Sequence, residues 1–93
     1  AMKCITIERT VDAWHVEALL IRAKEDFSTL PAWVKKMHQE NKFLIGGSSI
    51  RVHTRDYIEE LDKQHVLFRH DNGDVEALLI DQFYRLYKDP ICG

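Results

Sequence analysis

The chain has 93 residues, of which 45% are hydrophobic, and a formal net charge of −2. This length predicts a single domain over residues 2–93, with Ala1 before Met2 interpreted as a remnant of expression. The weak negative charge argues against general binding to nucleic acids or anionic membranes. No apolar run approaches about 20 residues, so no membrane-spanning helix is expected.

The first predicted element is a short strand within residues 3–8, where Ile5 and Ile7 alternate with other residues. The next segment, 11–24, is ambiguous. Its Ala, Glu, Leu, Arg and Lys content favours a helix. However, the hexapeptide VEALLI at 16–21 recurs at 75–80, where a preceding turn predicts a strand. Both alternatives therefore stay open for the first copy.

A helix is predicted over about 29–40. Ser28 or Thr29 is its expected N-cap, and Pro31 falls in the first turn, where a missing N–H costs nothing. Asn41 is expected to follow the helix as its C′ residue. An apolar stripe at i, i+3, i+4 and i+7 spacing predicts a buried face, and its members are Leu30, Trp33, Val34 and Met37.

Two short apolar runs, 43–45 and 50–52, flank a Gly-Gly-Ser-Ser turn and predict a second hairpin. The turn lacks the helix and lysine of a P-loop, but its backbone and the basic side chains nearby could hold an anion or nucleotide. The candidate residues are Gly46, Gly47, Ser48, Arg51, His53 and Arg55. The segment 55–63 is again ambiguous, and its local preference favours a helix.

The strongest turn signal is Asn72-Gly73 between two apolar runs, because a type I′ turn needs φ > 0 at both central positions. A two-residue loop sets Phe68 opposite Ala77 and is the predicted register. A three-residue loop with Gly73 in a bulge sets Phe68 opposite Glu76, and it is rejected because it opposes a core aromatic and a carboxylate.

In the predicted register, Phe68 lies on the core face of the hairpin. The opposite face ends in Leu67, Leu78 and Ile80, which are too apolar to remain in water. A helix, a tail or a second copy of the chain is expected to cover them. Surplus aromatic residues extend this candidate interface, whose members are Leu67, Leu78, Ile80, Trp14, Tyr57 and Tyr84.

A closing helix is predicted over 81–88, with Asp81 as N-cap, Lys88 in the last turn and Pro90 beyond its end. Together these elements predict an α+β protein. Its expected architecture is a small antiparallel β-meander with one central helix, about 29–40, packed on it, and a short C-terminal helix, about 81–88.

No spacing of side chains typical of catalysis or metal binding is found. The histidines, none in an H-x-x-x-H or H-E-x-x-H pattern, are His15, His38, His53, His65 and His70. Cys4 and Cys92 form no C-x-x-C motif and are expected to be reduced, although they could pair if the termini meet. The sequence therefore predicts no enzyme activity, no cofactor and no metal.

Several short motifs resemble a family of small phage and prophage proteins of unknown function. The family outline has an opening KKPVxVEA strand, an IPEW-type helix, a Gly-Asp-Tyr step and a tail ending in P-D-x-F-x-x-x-Y. The matching segments here are Val16-Glu17-Ala18, Leu30-Pro31-Ala32-Trp33, and Gly73, Asp74, Asp81, Phe83 and Tyr87. The KKPV lead and the Gly-Asp-Tyr step are absent. The resemblance implies strands at 16–21 and 55–61 and a phage accessory role inside a bacterium.

The leading hypothesis is thus a cytoplasmic, non-enzymatic accessory protein that binds, and could inhibit, a host or phage protein. The absence of a charged-then-apolar leader favours that location. A homodimer is the simplest partner arrangement, because a two-fold contact needs only one patch. The alternative is a small-ligand or nucleotide-binding module at the 46–49 turn.

Overall fold

The computed structural model describes residues 2–5, 10–54 and 57–87. Its elements are, in chain order, β1 (Met2–Ile5), β2 (Thr10–His15), α1 (Val16–Glu25), a 3₁₀ helix (Phe27–Thr29), α2 (Ala32–Gln39), β3 (Phe43–Ile45), β4 (Ser49–His53), β5 (Ile58–Asp62), β6 (His65–His70), β7 (Val75–Leu79) and α3 (Ile80–Leu86). The strand predicted within 3–8 is found as β1, while residues 6–8 lie outside the described part.

The strands form two antiparallel sheets. Within the described residues, the large sheet has four strands in the order β1-β2-β6-β7, and the small sheet has three in the order β3-β4-β5. The predicted α+β class is confirmed. The predicted single meander with one central helix matches only roughly, because the structure has a second sheet and an additional helix, α1.

Strand β6 of the large sheet contributes to a buried cluster on each of its two faces. Leu67 belongs to an inter-sheet cluster shared with α1, α2 and the small sheet. Val66 and Phe68 belong to an α3 cluster on the opposite face, which Phe83 and Tyr87 close. Side chains alternate along a strand, so the consecutive buried residues of β6 supply both clusters.

The repeated hexapeptide adopts two different structures. Its first copy, 16–21, opens α1, and its second copy, 75–80, forms β7 and the first residue of α3. The first copy runs on into further helix formers, Arg22, Ala23 and Lys24, whereas the second copy is held in a ladder with β6. The strand that the resemblance implies at 16–21 is therefore wrong.

The Asn72-Gly73 hairpin forms, but its register is one residue away from the prediction. Phe68 lies opposite Glu76, and Ala77 lies opposite the preceding residue of β6. This is the arrangement that the sequence argument rejects. It is tolerated because the Glu76 carboxylate stays at the surface: its side chain is 40% exposed and is hydrogen-bonded to an imidazole of β6.

The turn itself has three residues and a glycine bulge. The Gly73 N–H donates to the His70 carbonyl at 2.9 Å, and the His70 N–H donates to the Asp74 carbonyl at 2.8 Å. Gly73 has φ +95°, and the Asn72 side-chain oxygen accepts from the Asp74 N–H at 2.9 Å. These contacts define a three-residue hairpin loop with a bulged glycine, not a type I′ turn.

Helix α2 confirms the predicted central helix, with shorter bounds. Pro31 is its N-cap, rather than Ser28 or Thr29. At the C-terminus of the helix, the prediction of Asn41 as the C′ residue is confirmed. Asn41 has φ 61°, and the Lys42 N–H donates to the Met37 carbonyl at 2.8 Å. These features define a Schellman motif.

A carboxylate caps the 3₁₀ helix before α2. The Asp26 side chain accepts hydrogen bonds from the Ser28 hydroxyl at 2.7 Å and from the Ser28 N–H at 3.0 Å. Both bonds favour the charged form and hold the pKa of Asp26 below its ordinary value. The cap thus stabilises the short 3₁₀ helix that precedes α2.

The small sheet contains the second predicted hairpin and one strand, β5, from the segment that the sequence leaves ambiguous between a helix and a strand. The hairpin is confirmed as β3 and β4, with Ile45 opposite Ile50. The preference for a helix over 55–63 is wrong, because β5 pairs with β4 along its whole length. Pairing with a neighbouring strand outweighs weak local propensity. Residues 55 and 56 lie outside the described part.

The closing helix is confirmed with shifted bounds. Leu79 is the N-cap of α3, and Asp81 lies in its first turn instead of capping it. Phe83 and Tyr87 are buried against Phe68, with ring centroids 5.2 and 5.5 Å away. Residues 88–93, which include Lys88, Pro90 and Cys92, lie outside the described part.

Gly73→Ala should lower the free energy of unfolding by about 1–2 kcal/mol, because an alanine at positive φ is strained. A Cβ there would meet only the end of the Arg69 side chain at 3.6 Å, so strain rather than a clash is expected. Denaturant unfolding followed by circular dichroism measures the loss. Gly47→Ala is the matched control, since no atom lies within 4 Å of its Cβ. Equal losses in both variants would contradict the prediction.

Candidate functional site

The four aliphatic and indole residues of the predicted interface are not exposed together. Leu67 and Trp14 are buried in the inter-sheet cluster. Leu78 and Ile80 are partly buried against the α3 cluster on the other face of the sheet. The shifted register places Leu67 and Leu78 on opposite faces: α1, α2 and the small sheet cover Leu67, and α3 covers Leu78. Trp14 and Leu67 are therefore core residues.

The two tyrosines of that prediction are exposed but lie on different elements. Tyr57 directly precedes β5, at the edge of the small sheet. Tyr84 lies on α3, and its hydroxyl is hydrogen-bonded to Nε2 of His15 at 3.0 Å. They do not extend one continuous patch with the four residues above.

The predicted anion site is also divided. Gly46, Gly47 and Ser48 lie at the turn between β3 and β4. Arg51 faces Glu60 across β4 and β5, with 3.9 Å between the guanidinium nitrogen and the carboxylate oxygen. A carboxylate beside the turn opposes an anion there.

His53 lies at the opposite end of β4 from this turn. It lines a different depression, between α2 and the β6–β7 hairpin. Arg55 lies outside the described residues. The residues predicted to hold an anion are therefore not brought together in the part of the chain that the structure describes.

Open sheet edges offer a stronger candidate, because their backbone N–H and C=O groups can pair with another chain. β5 carries Glu59, Glu60 and Asp62, and β3 has only three residues. Charged or very short edges resist pairing. The large sheet has β1 at one edge and β7 at the other. β7 contains no Lys and no Pro, and its one charged residue is Glu76. For β1 the structure describes the backbone.

The backbone groups of alternate β7 residues point away from β6. The Ile80 N–H donates to the Gln64 carbonyl at 2.9 Å, which fixes the phase of the ladder. Hydrogen-bonded and non-hydrogen-bonded pairs alternate in an antiparallel ladder. Val75, Ala77 and Leu79 therefore direct their N–H and C=O groups outward, toward the open edge.

A groove of about 210 Å³ lies beside this edge, between β7 and the last turn of α3. Its lining residues are Phe68, Glu76, Ala77, Leu78, Leu86 and Tyr87. Leu86 is 59% exposed at its rim, and Leu79 is 42% exposed at the end of the strand. The outward edge of β7, the groove and these two leucines are together termed the β7 surface.

The one charged side chain of β7, that of Glu76, is held by a hydrogen bond. The Glu76 carboxylate is hydrogen-bonded to the His70 imidazole, and this imidazole in turn lies edge-on to Phe68, with centroids 5.4 Å apart. The carboxylate is thus held toward β6. An approaching strand would meet mainly apolar side chains and open backbone groups.

A further group of polar contacts orders the turn between β5 and β6. At the β5–β6 turn, the Gln64 N–H and the His65 imidazole donate to Asp62 at 2.9 Å each. Both hydrogen bonds hold the pKa of Asp62 below its ordinary value, and the bond from the Gln64 backbone has the larger effect.

Among the described residues no group of three or more His, Cys, Asp or Glu side chains is placed to hold a metal ion. None of the described helices is both long and apolar enough to span a membrane.

The β7 surface was missed because local sequence does not show which strand ends a sheet. The signal present in the sequence is the composition of 75–79, five residues with no Lys or Pro. It becomes informative only once β6 is known to pair with β2 on its other side.

Comparison with known proteins finds no match: no family model, no curated protein and no solved structure matches this chain. The resemblance to small phage proteins rests on the short motifs quoted above.

Proposed function

We propose that this protein acts by binding another polypeptide rather than by catalysis, and that its first partner is a second copy of itself. The observation that carries the proposal is the outer edge of β7, which pairs with no other described strand and lies next to an apolar groove. A strand added there would satisfy the outward backbone groups of Val75, Ala77 and Leu79, which is a common mode of recognition.

A second copy fits this edge by symmetry. Two β7 strands can pair antiparallel about a two-fold axis at Ala77, which would place Val75 opposite Leu79 of the second copy. Glu76 would then lie opposite Leu78 of the second copy, so no like charges oppose each other directly. One patch serves both subunits in such an isologous contact.

Pairing of the two β7 strands would not by itself bury enough surface for a stable dimer. Stable interfaces bury about 1,200–2,000 Å² in total, more than two five-residue strands provide by backbone pairing alone. The groove beside β7 and the exposed side chains of Leu79 and Leu86 would supply the additional apolar contact. Leu86 is therefore expected to contribute, although it is not on the strand.

We further propose that the dimer is a phage or prophage accessory protein that engages a host or phage protein in the bacterial cytoplasm. The support is the motif resemblance, chiefly Leu30-Pro31-Ala32-Trp33 and the spacing of Phe83 and Tyr87. Genes of phage origin on both sides of the coding sequence are the expected observation. A housekeeping operon around it would contradict this part of the proposal.

Self-association is tested by size-exclusion chromatography with light scattering over a range of concentrations. The wild type should change from monomer to dimer as the concentration rises. Leu86→Lys should stay monomeric where the wild type is dimeric, because a charge would be buried at the groove. Ala77→Pro should do the same, since it removes an outward N–H and leaves the β6 ladder intact.

Ile58→Lys is the matched control. It makes the same type of change at a residue that is 63% exposed on the acidic edge β5, and it should associate like the wild type. A wild type that stays monomeric at about 1 mM, where an association of only about 4 kcal/mol would be half complete, overturns the proposal. Equal loss of dimer in Ile58→Lys and Leu86→Lys also overturns it.

A further inference from the structure

A cleft of about 380 Å³ lies where the C-terminal half of α2, the end of β4 and the tip of the β6–β7 hairpin meet. Of the described residues that the sequence proposed for ligand binding, His53 alone lines it. The cleft is formed by segments far apart in the chain, so it is visible only in the folded structure. Its volume is at the small end of the range for ligand pockets, about 300–1,000 Å³.

One side of the cleft is apolar and includes a rigid aromatic ring. Trp33, Met37 and Val75 line it. The Trp33 indole N–H donates to the Asp12 carboxylate at 2.9 Å, which holds the ring in one orientation. A flat apolar group of a ligand could lie against this ring without first ordering it.

The rest of the lining is rich in charge. The described lining residues include three cations and two carboxylates, so these five side chains together carry one net positive charge. They are Lys36, Lys42, Arg69, Glu40 and Asp74. Lys42 lies 3.8 Å from Glu40, and Asp74 accepts a hydrogen bond from an asparagine of the turn. Neither Lys36 nor Arg69 makes a side-chain hydrogen bond or ion pair with another described residue.

We propose that this cleft binds a small monophosphorylated molecule with a flat ring, such as a nucleoside monophosphate. Its phosphate would face Lys36 and Arg69, and its ring would lie against Trp33. Charge-assisted bonds from guanidinium and ammonium groups are the strong contacts to phosphate. A net excess of one positive charge suits one phosphate group better than a polyphosphate. The inference is independent of the proposed self-association.

Titration calorimetry with AMP at low salt tests the proposal, with adenosine and inorganic phosphate as separate arms. AMP should bind at least tenfold more tightly than either fragment, because adenosine lacks the phosphate group and inorganic phosphate lacks the ring. Lys36→Gln and Arg69→Gln should each weaken AMP binding about tenfold or more, which corresponds to about 1.4 kcal/mol. Lys36 is exposed, so its variant should fold, and circular dichroism checks both variants before titration.

Lys35→Gln is the matched control. It removes the same charge from the same helix, but the Lys35 ammonium donates to the Ser28 carbonyl at 3.2 Å and is not part of the cleft. It should bind AMP like the wild type. Absence of AMP binding at millimolar concentration overturns the proposal. So does equal affinity for phosphate alone, or equal weakening by Lys35→Gln and Lys36→Gln.

Discussion

Phe68→Ala should lower the free energy of unfolding by about 3–5 kcal/mol, the range found when a buried phenylalanine is truncated. Phe68 is 2% exposed on the central strand, and its ring lies near those of Phe83 and Tyr87. The cavity would therefore open between the large sheet and α3. Chemical denaturation followed by far-ultraviolet circular dichroism measures the change.

Tyr57→Ala is the control for this prediction. Tyr57 is an aromatic residue of similar size that is exposed, so its loss should change stability by no more than about 0.5 kcal/mol. A loss of less than about 1 kcal/mol for Phe68→Ala would show that α3 is not packed on the sheet as described.

Trp33→Phe should lower the free energy of unfolding by about 1.5–3 kcal/mol, because it removes a hydrogen bond to a carboxylate that is partly shielded from water. The Asp12 Oδ2 atom accepts from the Trp33 indole at 2.9 Å, while Oδ1 is buried with no hydrogen-bond partner among the described residues. Lys3 and Arg69 lie opposite Asp12 on the two neighbouring strands. Among the described residues, the Trp33 indole is thus the one hydrogen-bond donor to this carboxylate.

A double-mutant cycle separates this bond from the loss of ring volume. In the Asp12→Ala background, Trp33→Phe should cost about 1–2 kcal/mol less than in the wild type, since the bond is already gone. Additive effects of the two substitutions, within experimental error, would show that the indole and the carboxylate are not energetically coupled. Thermal and denaturant unfolding of the four proteins provide the cycle.

Local turn chemistry predicted where the chain reverses but not the register of the strands. Asn72-Gly73 suits both a two-residue loop and a three-residue loop with Gly73 in a bulge. The choice depended on whether Glu76 could share a face with Phe68. It can, because the His70 imidazole holds the carboxylate near the surface, and no rule based on the hairpin alone reveals that contact.

The hexapeptide VEALLI shows a second limit of local reasoning. The same six residues are helical at 16–21 and mostly extended at 75–80. Intrinsic propensity favours the helix in both places. What differs is the neighbourhood: the second copy follows the Gly73 turn and pairs with β6, while the first has no such partner within the described residues.

Elements with strong local signals were predictable, whereas the candidate sites were not. The stripe containing Val34 and Met37 identified α2, and Asn41 marked its end. In contrast, the β7 surface depends on the order of strands in the sheet, and the cleft joins Lys36 to Arg69 across 33 positions of sequence. Such arrangements follow from topology, which periodicity does not specify.

The double burial of β6 has a consequence for how the molecule opens. Loss of either layer would expose one side of this strand, so the inter-sheet cluster and the α3 cluster are coupled through it. Amide hydrogens of Val66, Leu67 and Phe68 that bond to the neighbouring strands should then exchange with solvent only when the whole domain unfolds. In the monomer, the outward amides of β7 would exchange without any such opening. Strongly and weakly protected amides of this sheet therefore lie on adjacent strands, about 5 Å apart.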